Sequence, residues 1–364
     1  MSIFHRRRPP FCPNPLCHFH ENPGGWPYKR AGFFFRARPP FRVQRYQCSH
    51  CGRSFSSQTF SVSYWLKRPD LLEPVYSGLV SCAGLRQLAR IHGVSPSTIM
   101  GHTTRLGLHC LLYQQQHRPQ AAPREPVVVD GFESFEFSQF HPMHVNLAVG
   151  AESHFIYAFT DAELRRKGRM TARQAKQRSL DEARWGRPDP QALEFEMAEL
   201  IRLFAPRGST LWLRSDEHRA YPRAFRSVEG VRIVHEMTSS KQARTTGNPL
   251  FAVNRIDLLT RHCSANHKRE TIAYSKRRQS LMERYAVFVV WQNFQKSRSE
   301  KLQDAPPAQR LGRVNHKLST SEILSRRLFP SQIRLPARWR IYYERRTRTR
   351  RIPNGAERHL RYAN

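Results

Sequence analysis

Acidic residues are scarce in this chain of 364 residues: 28 Asp and Glu stand against 61 Lys and Arg, a formal charge of +33. Such an excess repels itself unless a polyanion neutralises it. Nucleic acid is therefore the expected partner class, although histones, ribosomal proteins and nucleases would share this feature. Long apolar runs are also missing. No stretch of about 18 apolar residues occurs, so no membrane span is expected. The start, Met1 to Arg8, is basic but no apolar core follows it, so no secretory leader is expected. Cysteine is sparse and odd in number: seven residues, four of them in two close pairs. That favours metal binding in a reducing compartment over a disulfide framework.

The length suffices for two or three domains, and 39% hydrophobic residues suffice for a substantial core. The first 60 residues read as a zinc ribbon. Cys12-Pro-Asn-Pro-Leu-Cys17 and Cys48-Ser-His-Cys51 each set two thiolates on a tight turn. Four thiolates complete a closed tetrahedral site, the structural pattern for Zn²⁺. His18, His20 and His50 lie near enough in sequence to be alternative ligands. Between the knuckles, aromatics alternate with arginines, and residues 1–46 hold nine Lys and Arg against Glu21 alone. Short strands with a DNA-contacting basic face are expected there, through phosphate contacts.

Residues 61–118 read as a helix-turn-helix domain. A helix from Pro69 to Leu79 precedes a second at Leu85 to Ile91, then a turn at Gly93 and a third helix. Ser95 is a suitable N-cap with Pro96 in the first helical position. Helix, glycine-containing turn and capped helix form the DNA-reading pattern, with Ser97, Thr98, His102 and Arg105 toward the groove. Gln114 to Glu125 has linker composition.

From residue 119 to 300 an α/β pattern follows. Val127-Val128-Val129 runs straight into Asp130, an apolar strand ending in a carboxylate. Strands at Met143–Gly150 and Phe155–Phe159 follow, then a charged stretch at about 161–190 expected as a mobile basic arm, then a helix at Gln191–Phe204. A second strand, Ser209 to Ser215, also ends in a carboxylate, Asp216, and Val231–His235 is a fifth strand. Three strands, helix, strand, strand, helix is the element order of the RNase H-like fold, with a five-stranded mixed sheet. That fold makes the first and fourth strands neighbours, so Asp130 and Asp216 would lie side by side. Two like charges there disfavour joint ionisation, and a hard divalent cation reverses that cost. A third carboxylate is sought in a later helix. Glu283 opens the apolar segment Ser280–Phe294, and Glu270 is the other candidate.

The knuckles, the helix-turn-helix, Val-Val-Val-Asp130-Gly, Ser-Asp216-Glu-His-Arg-Ala-Tyr and the stretch from Arg255 to Ser275-Lys276 together resemble a DDE transposase of bacterial insertion sequences, of the type with an amino-terminal zinc ribbon. The resemblance covers about residues 10–300. It implies two-metal phosphoryl transfer on double-stranded DNA, with Mg²⁺ or Mn²⁺ held by Asp130, Asp216 and Glu283. It implies cleavage at transposon ends, transfer of the 3′-OH to target DNA, at least a homodimer in the DNA complex, and a cytoplasmic, nucleoid-associated location. Arg255, Arg261, Lys268, Arg269, Lys276, Arg277 and Arg278 are expected to hold the phosphate backbone.

Residues 301–364 form a basic C-terminal tail. The part from 331 holds ten Arg and no Lys, with Trp339, Tyr342, Tyr343 and Tyr362 interleaved. Arginine suits bidentate phosphate contact, so a DNA-binding or strand-positioning role is expected. Two competing classes stand beside the enzyme: a DNA-binding regulator with an inert RNase H-like domain, and a structural nucleic-acid binder of ribosomal type. Neither needs acids at two strand ends.

Overall fold

The computed structural model describes residues 8–299, 301 and 304–348. It is a multidomain α/β chain with a four-cysteine group near its start. A short helix α1 (His18–Glu21) leads into strands β1 (Tyr28–Phe35), β2 (Arg42–Cys48) and β3 (Ser54–Ser56), an antiparallel sheet in the order β1-β2-β3. Its small core joins Trp26, Tyr46, Phe55 and Phe60 to the cysteines, and Phe329 from far along the chain completes it.

After a 3₁₀ turn at Pro69–Leu71 come helices α2 (Leu72–Leu79), α3 (Leu85–Ile91) and α4 (Pro96–His117). Ser95 caps α4, its Oγ accepting from the Thr98 amide, and Pro96 holds the first position. α4 ends at His117. Only the first turns of α4 are exposed; from His102 onward nearly every residue is buried, and it belongs to the same hydrophobic core as the main sheet. A helix apolar on most sides is one that neighbours enclose. Gly107 shows how closely: a Cβ there would stand 2.6 Å from the Glu283 carbonyl oxygen. Further along, the Gln114 side-chain amide donates to the Ile156 carbonyl at 2.9 Å, so the supposed linker begins inside the core.

The main sheet comprises β4 (Val127–Phe135), β5 (Pro142–Gly150), β6 (Ile156–Glu163), β7 (Thr210–Ser215) and β8 (Arg232–Met237), in the order β6-β5-β4-β7-β8. The first three strands are antiparallel, and β7 and β8 join parallel to β4 and to each other. Helices α5 (Ala172–Trp185), α6 (Ala192–Phe204), α7 (Ala220–Arg226), α8 (Phe251–Cys263) and α9 (Arg278–Phe294) complete this part. The pleat separates the faces. Asn146 and Thr160 point to α6, where Thr160 Oγ1 donates to the Glu196 carbonyl at 2.8 Å. Phe132 and Phe159 point the other way, against Tyr285 of α9.

One expectation needs correction. The 161–190 stretch is not a structureless arm: β6 runs through Glu163, and α5 is a helix capped by Thr171 and tied back by Arg165 to Glu182 at 2.8 Å. The tail, expected as a DNA-binding or strand-positioning segment, is folded onto the rest of the chain as far as residue 348. It forms α10 (Pro307–Arg310), α11 (Thr320–Ile323) and α12 (Ala337–Tyr343), and buries Trp339, Tyr342 and Tyr343. Arg338 and Arg345 are engaged internally, while Arg334 and Arg340 are exposed. Arg338 lies 3.0 Å from buried Asp161, which also binds Arg278 and the Tyr342 hydroxyl, and Arg345 lies 2.9 Å from Glu283. These cations outweigh the burial that would otherwise keep Asp161 protonated, and hold its carboxyl below the usual range. Residues 349–364, including Tyr362, lie outside the described residues. No described helix is long and apolar enough to cross a membrane.

Candidate active site and cysteine centre

The strand register brings two acids together. Val127 pairs with Leu213 and Val128 with Arg214, and the same offset puts Asp130 level with Asp216, the first residue beyond β7. Neighbouring strands run about 4.8 Å apart. Gly131 makes the tight backbone here possible, since a Cβ on it would collide with the Val145 carbonyl oxygen. Asp130 is half-buried, and its Oδ1 accepts from the Tyr221 hydroxyl at 2.9 Å. Burial raises its pKa; nearby His144 opposes that rise and the Asp216 carboxylate adds to it. Asp216 Oδ1 accepts from the His218 amide at 2.9 Å.

A third acid joins them from α8. Asp257 is close enough to Asp130 for the two charges to act on each other. Burial first, and then Asp130, drive its pKa well above the carboxylate range, while Arg261 and Arg244 pull it back. Its Oδ1 is buried without a hydrogen-bond partner. An orphaned carboxylate oxygen near Asp130, which itself neighbours Asp216, is a donor set that a hard divalent cation satisfies. Among the described residues, only the four cysteines bring three or more such donor atoms within 4.8 Å of one another.

Glu283 is not brought to this group. Tyr285 faces the sheet, and Glu283, two residues earlier, is turned about 200° round the helix toward α4. Its carboxylate accepts from Thr104 Oγ1 at 2.9 Å, Gln279 Nε2 at 3.1 Å and Arg345 Nε at 2.9 Å. It is a buried structural carboxylate, whose pKa burial raises against the pull of Arg345. Glu270 is exposed on the loop after α8.

Sequence reasoning passed over Asp257 and Tyr221. The signal for Asp257 was its place on the inward stripe of α8, between Val253 and Thr260, where an acid needs a reason to be. Tyr221 closes the stretch Ser-Asp216-Glu-His-Arg-Ala-Tyr, but its contact with Asp130 depends on β4 lying beside the start of α7.

The expected DNA contacts divide. Ser97 is exposed and Thr98 half-buried at the free end of α4, and Lys268, Arg269 and Lys276 are exposed on the loop between α8 and α9. Arg277 is half-buried there, and half-buried Arg261 sits beside Asp257, its Nη1 donating to the His267 carbonyl at 3.2 Å. Four others turn inward. His102 is buried with its ring nitrogens 2.8 and 2.7 Å from the Thr98 and Arg68 carbonyls. Arg105 is pushed down to about 10 by burial and by nearby Arg327. Arg255 donates to the Arg298 carbonyl at 2.7 Å, and Arg278 pairs with Asp161 and Glu163.

At the other centre, Cys12 and Cys51 sulfurs are 3.6 Å apart and Cys17 and Cys48 4.0 Å. A tetrahedron of sulfurs 2.3 Å from zinc has edges of about 3.8 Å, so the four fit that ion. Burial opposes ionisation of Cys48, but the Cys51 amide, the Trp26 indole at 3.2 Å and the His50 amide outweigh it and bring the thiol to about 6. His20 is no ligand: its nitrogens are engaged by the Cys12 carbonyl and Ser331 Oγ.

No protein-family model matches the chain, and no curated protein matches its sequence. Among solved structures it is similar to a chain of the simian T-cell lymphotropic virus intasome in complex with PP2A regulatory subunit B56 gamma. The identity is 14% over 65% of this chain and 71% of that one, with a TM-score of 0.23, too low to bear on function.

Proposed function

We propose that the chain is a DDE-type transposase, with an RNase H-like domain that cleaves and joins DNA strands using Mg²⁺ or Mn²⁺. Asp130, Asp216 and Asp257 would hold the metal, Asp257 taking the role that Glu283 was expected to fill. The supporting observation is the orphaned Asp257 oxygen near Asp130, the strand-end carboxylate that stands level with Asp216. Bound metal would supply charge to the attacking and leaving oxygens of an in-line displacement. The protein's own part is positioning. The Tyr221 hydroxyl orients Asp130, the His218 amide orients Asp216, and Arg261 offers a cation beside the acids for a backbone phosphate. Zinc at Cys12, Cys17, Cys48 and Cys51 would be structural. Double-stranded DNA, as transposon ends and target, would be the substrate, gathered by at least a dimer.

The test is strand cleavage and transfer on duplex DNA with added Mg²⁺ or Mn²⁺. Asp130→Asn and Asp216→Asn should abolish both while leaving DNA affinity within about twofold. Full activity in either variant would sink the enzymatic reading. DNA binding without cleavage by the wild type would leave the regulator.

A further inference from the structure

The β1–β2 hairpin carries a surface that a folding core does not explain. Seven of the eight residues of β1 are exposed on both sides of the strand. Phe33, Phe35 and Phe41 are 45%, 77% and 61% exposed. Phe33 and Phe35 share one face, and the register brings Arg42 to that face, its guanidinium 3.5 Å above the Phe33 ring. The hairpin is held in place: Arg36 donates to the Leu66 carbonyl and Arg38 to the Lys67 carbonyl, beside Trp65, itself 62% exposed. Rings left in water on an edge strand would ordinarily invite aggregation.

Charge decides what covers them. No Asp or Glu occurs between Glu21 and Asp70, a stretch with nine Lys and Arg. Among the described residues, Lys29, Arg30, Arg42 and Arg45 form no ion pair, and all four are exposed. An apolar protein partner would have to bury these cations unpaired, at a cost that ring burial does not offset. A nucleic acid matches both features, with phosphates for the cations and bases for the rings. In a duplex, base faces are occupied by neighbours stacked 3.4 Å away. Free faces belong to unpaired strands, and base–aromatic stacking with cation–π support from Arg is how such strands are held.

We infer that the hairpin is a binding platform for unpaired DNA, with Phe33, Phe35 and Arg42 stacking on bases and Trp65 and Phe41 flanking them. This goes beyond strand cleavage and does not require that the carboxylates cut. Binding is measured at equilibrium without added Mg²⁺, using the full zinc-loaded chain, a labelled single strand of roughly 20 nucleotides, and its duplex. Phe33→Ala and Phe35→Ala should each weaken single-strand binding by roughly 5- to 150-fold, with duplex binding changed less than about twofold. Phe35→Tyr should restore most of the loss. The single strand should also quench tryptophan emission in the wild type and not in Trp65→Phe. Unchanged single-strand affinity in both alanine variants, or equal losses on both DNAs, would overturn the inference. So would sedimentation showing that Phe35→Ala only dissolves a dimer, since the face would then belong to a second copy.

Discussion

Exchanging two acids, one at a time, separates a metal ligand from a structural carboxylate. In the absence of Mg²⁺, Asp257→Asn removes a buried carboxylate whose Oδ1 has no partner and whose neighbour is another acid. Burial, and then Asp130, raise the pKa of that carboxyl, so the wild type loses stability as pH rises through the ordinary carboxylate range and the uncharged variant should be the more stable at pH 7. Glu283→Gln does the opposite. It takes the charge from a carboxylate that serves Thr104, Gln279 and Arg345. Breaking a fully buried pair costs about 3–5 kcal/mol, and the partial exposure of Arg345 reduces that to about 1–3 kcal/mol. Metal then discriminates. A ligand at 100 times its Kd stabilises the folded chain by about 2.7 kcal/mol, or about 5 °C in Tm for a body of this size. The wild type and Glu283→Gln should both show that rise when Mn²⁺ is titrated into zinc-loaded protein during thermal unfolding, and Asp257→Asn should not. A retained Mn²⁺ response in Asp257→Asn, or its loss in Glu283→Gln, would refute the assignment.

Other expectations are read in separate experiments. Cys48→Ser should lose about one equivalent of zinc by elemental mass spectrometry; a wild type free of zinc would refute the site. Gly107→Ala should destabilise the fold by about 1–3 kcal/mol in chemical denaturation, because overpacking against the α9 backbone exceeds the gain in helix propensity. Glu196 is pushed up to about 7, by burial first, with nearby Asp161 adding to the effect against the pull of Arg338. A raised carboxyl pKa makes the fold lose stability as pH rises from about 4.5 to about 7. Glu196→Gln should therefore match the wild type near pH 4 and exceed it above pH 7, by at most about 3 kcal/mol; equal stability across that window would refute the shift.

The neighbouring of β4 and β7 was legible because β-branched runs ending in acids mark strand ends, and the element order dictates which strands pair. The third acid was not legible by the same rule. Glu283 and Asp257 both lie in helices with apolar stripes, and only tertiary contacts distinguish them. Glu283 is satisfied by Arg345, 62 residues later, whereas Asp257 lacks a partner on Oδ1. Arginine counting misled in the same way. Arg278, Arg338 and Arg345 look like DNA contacts in a basic sequence, yet each answers a buried carboxylate drawn from elsewhere in the chain. For His102 and Arg105, helical spacing alone did not reveal that α4 is enclosed.

That enclosure has a metrical consequence. With 22 residues at 1.5 Å each, α4 is a rod of about 33 Å, exposed at Ser97 and clamped at Gln114 to the sheet that carries Asp130. No hinge intervenes to take up slack. If the exposed end reads DNA while the acids cut it, the separation between the recognised base pairs and the cut is set in ångströms by the protein and in phase by the duplex. Inserting about five base pairs between them, half a turn, would carry the scissile phosphate to the far side of the helix.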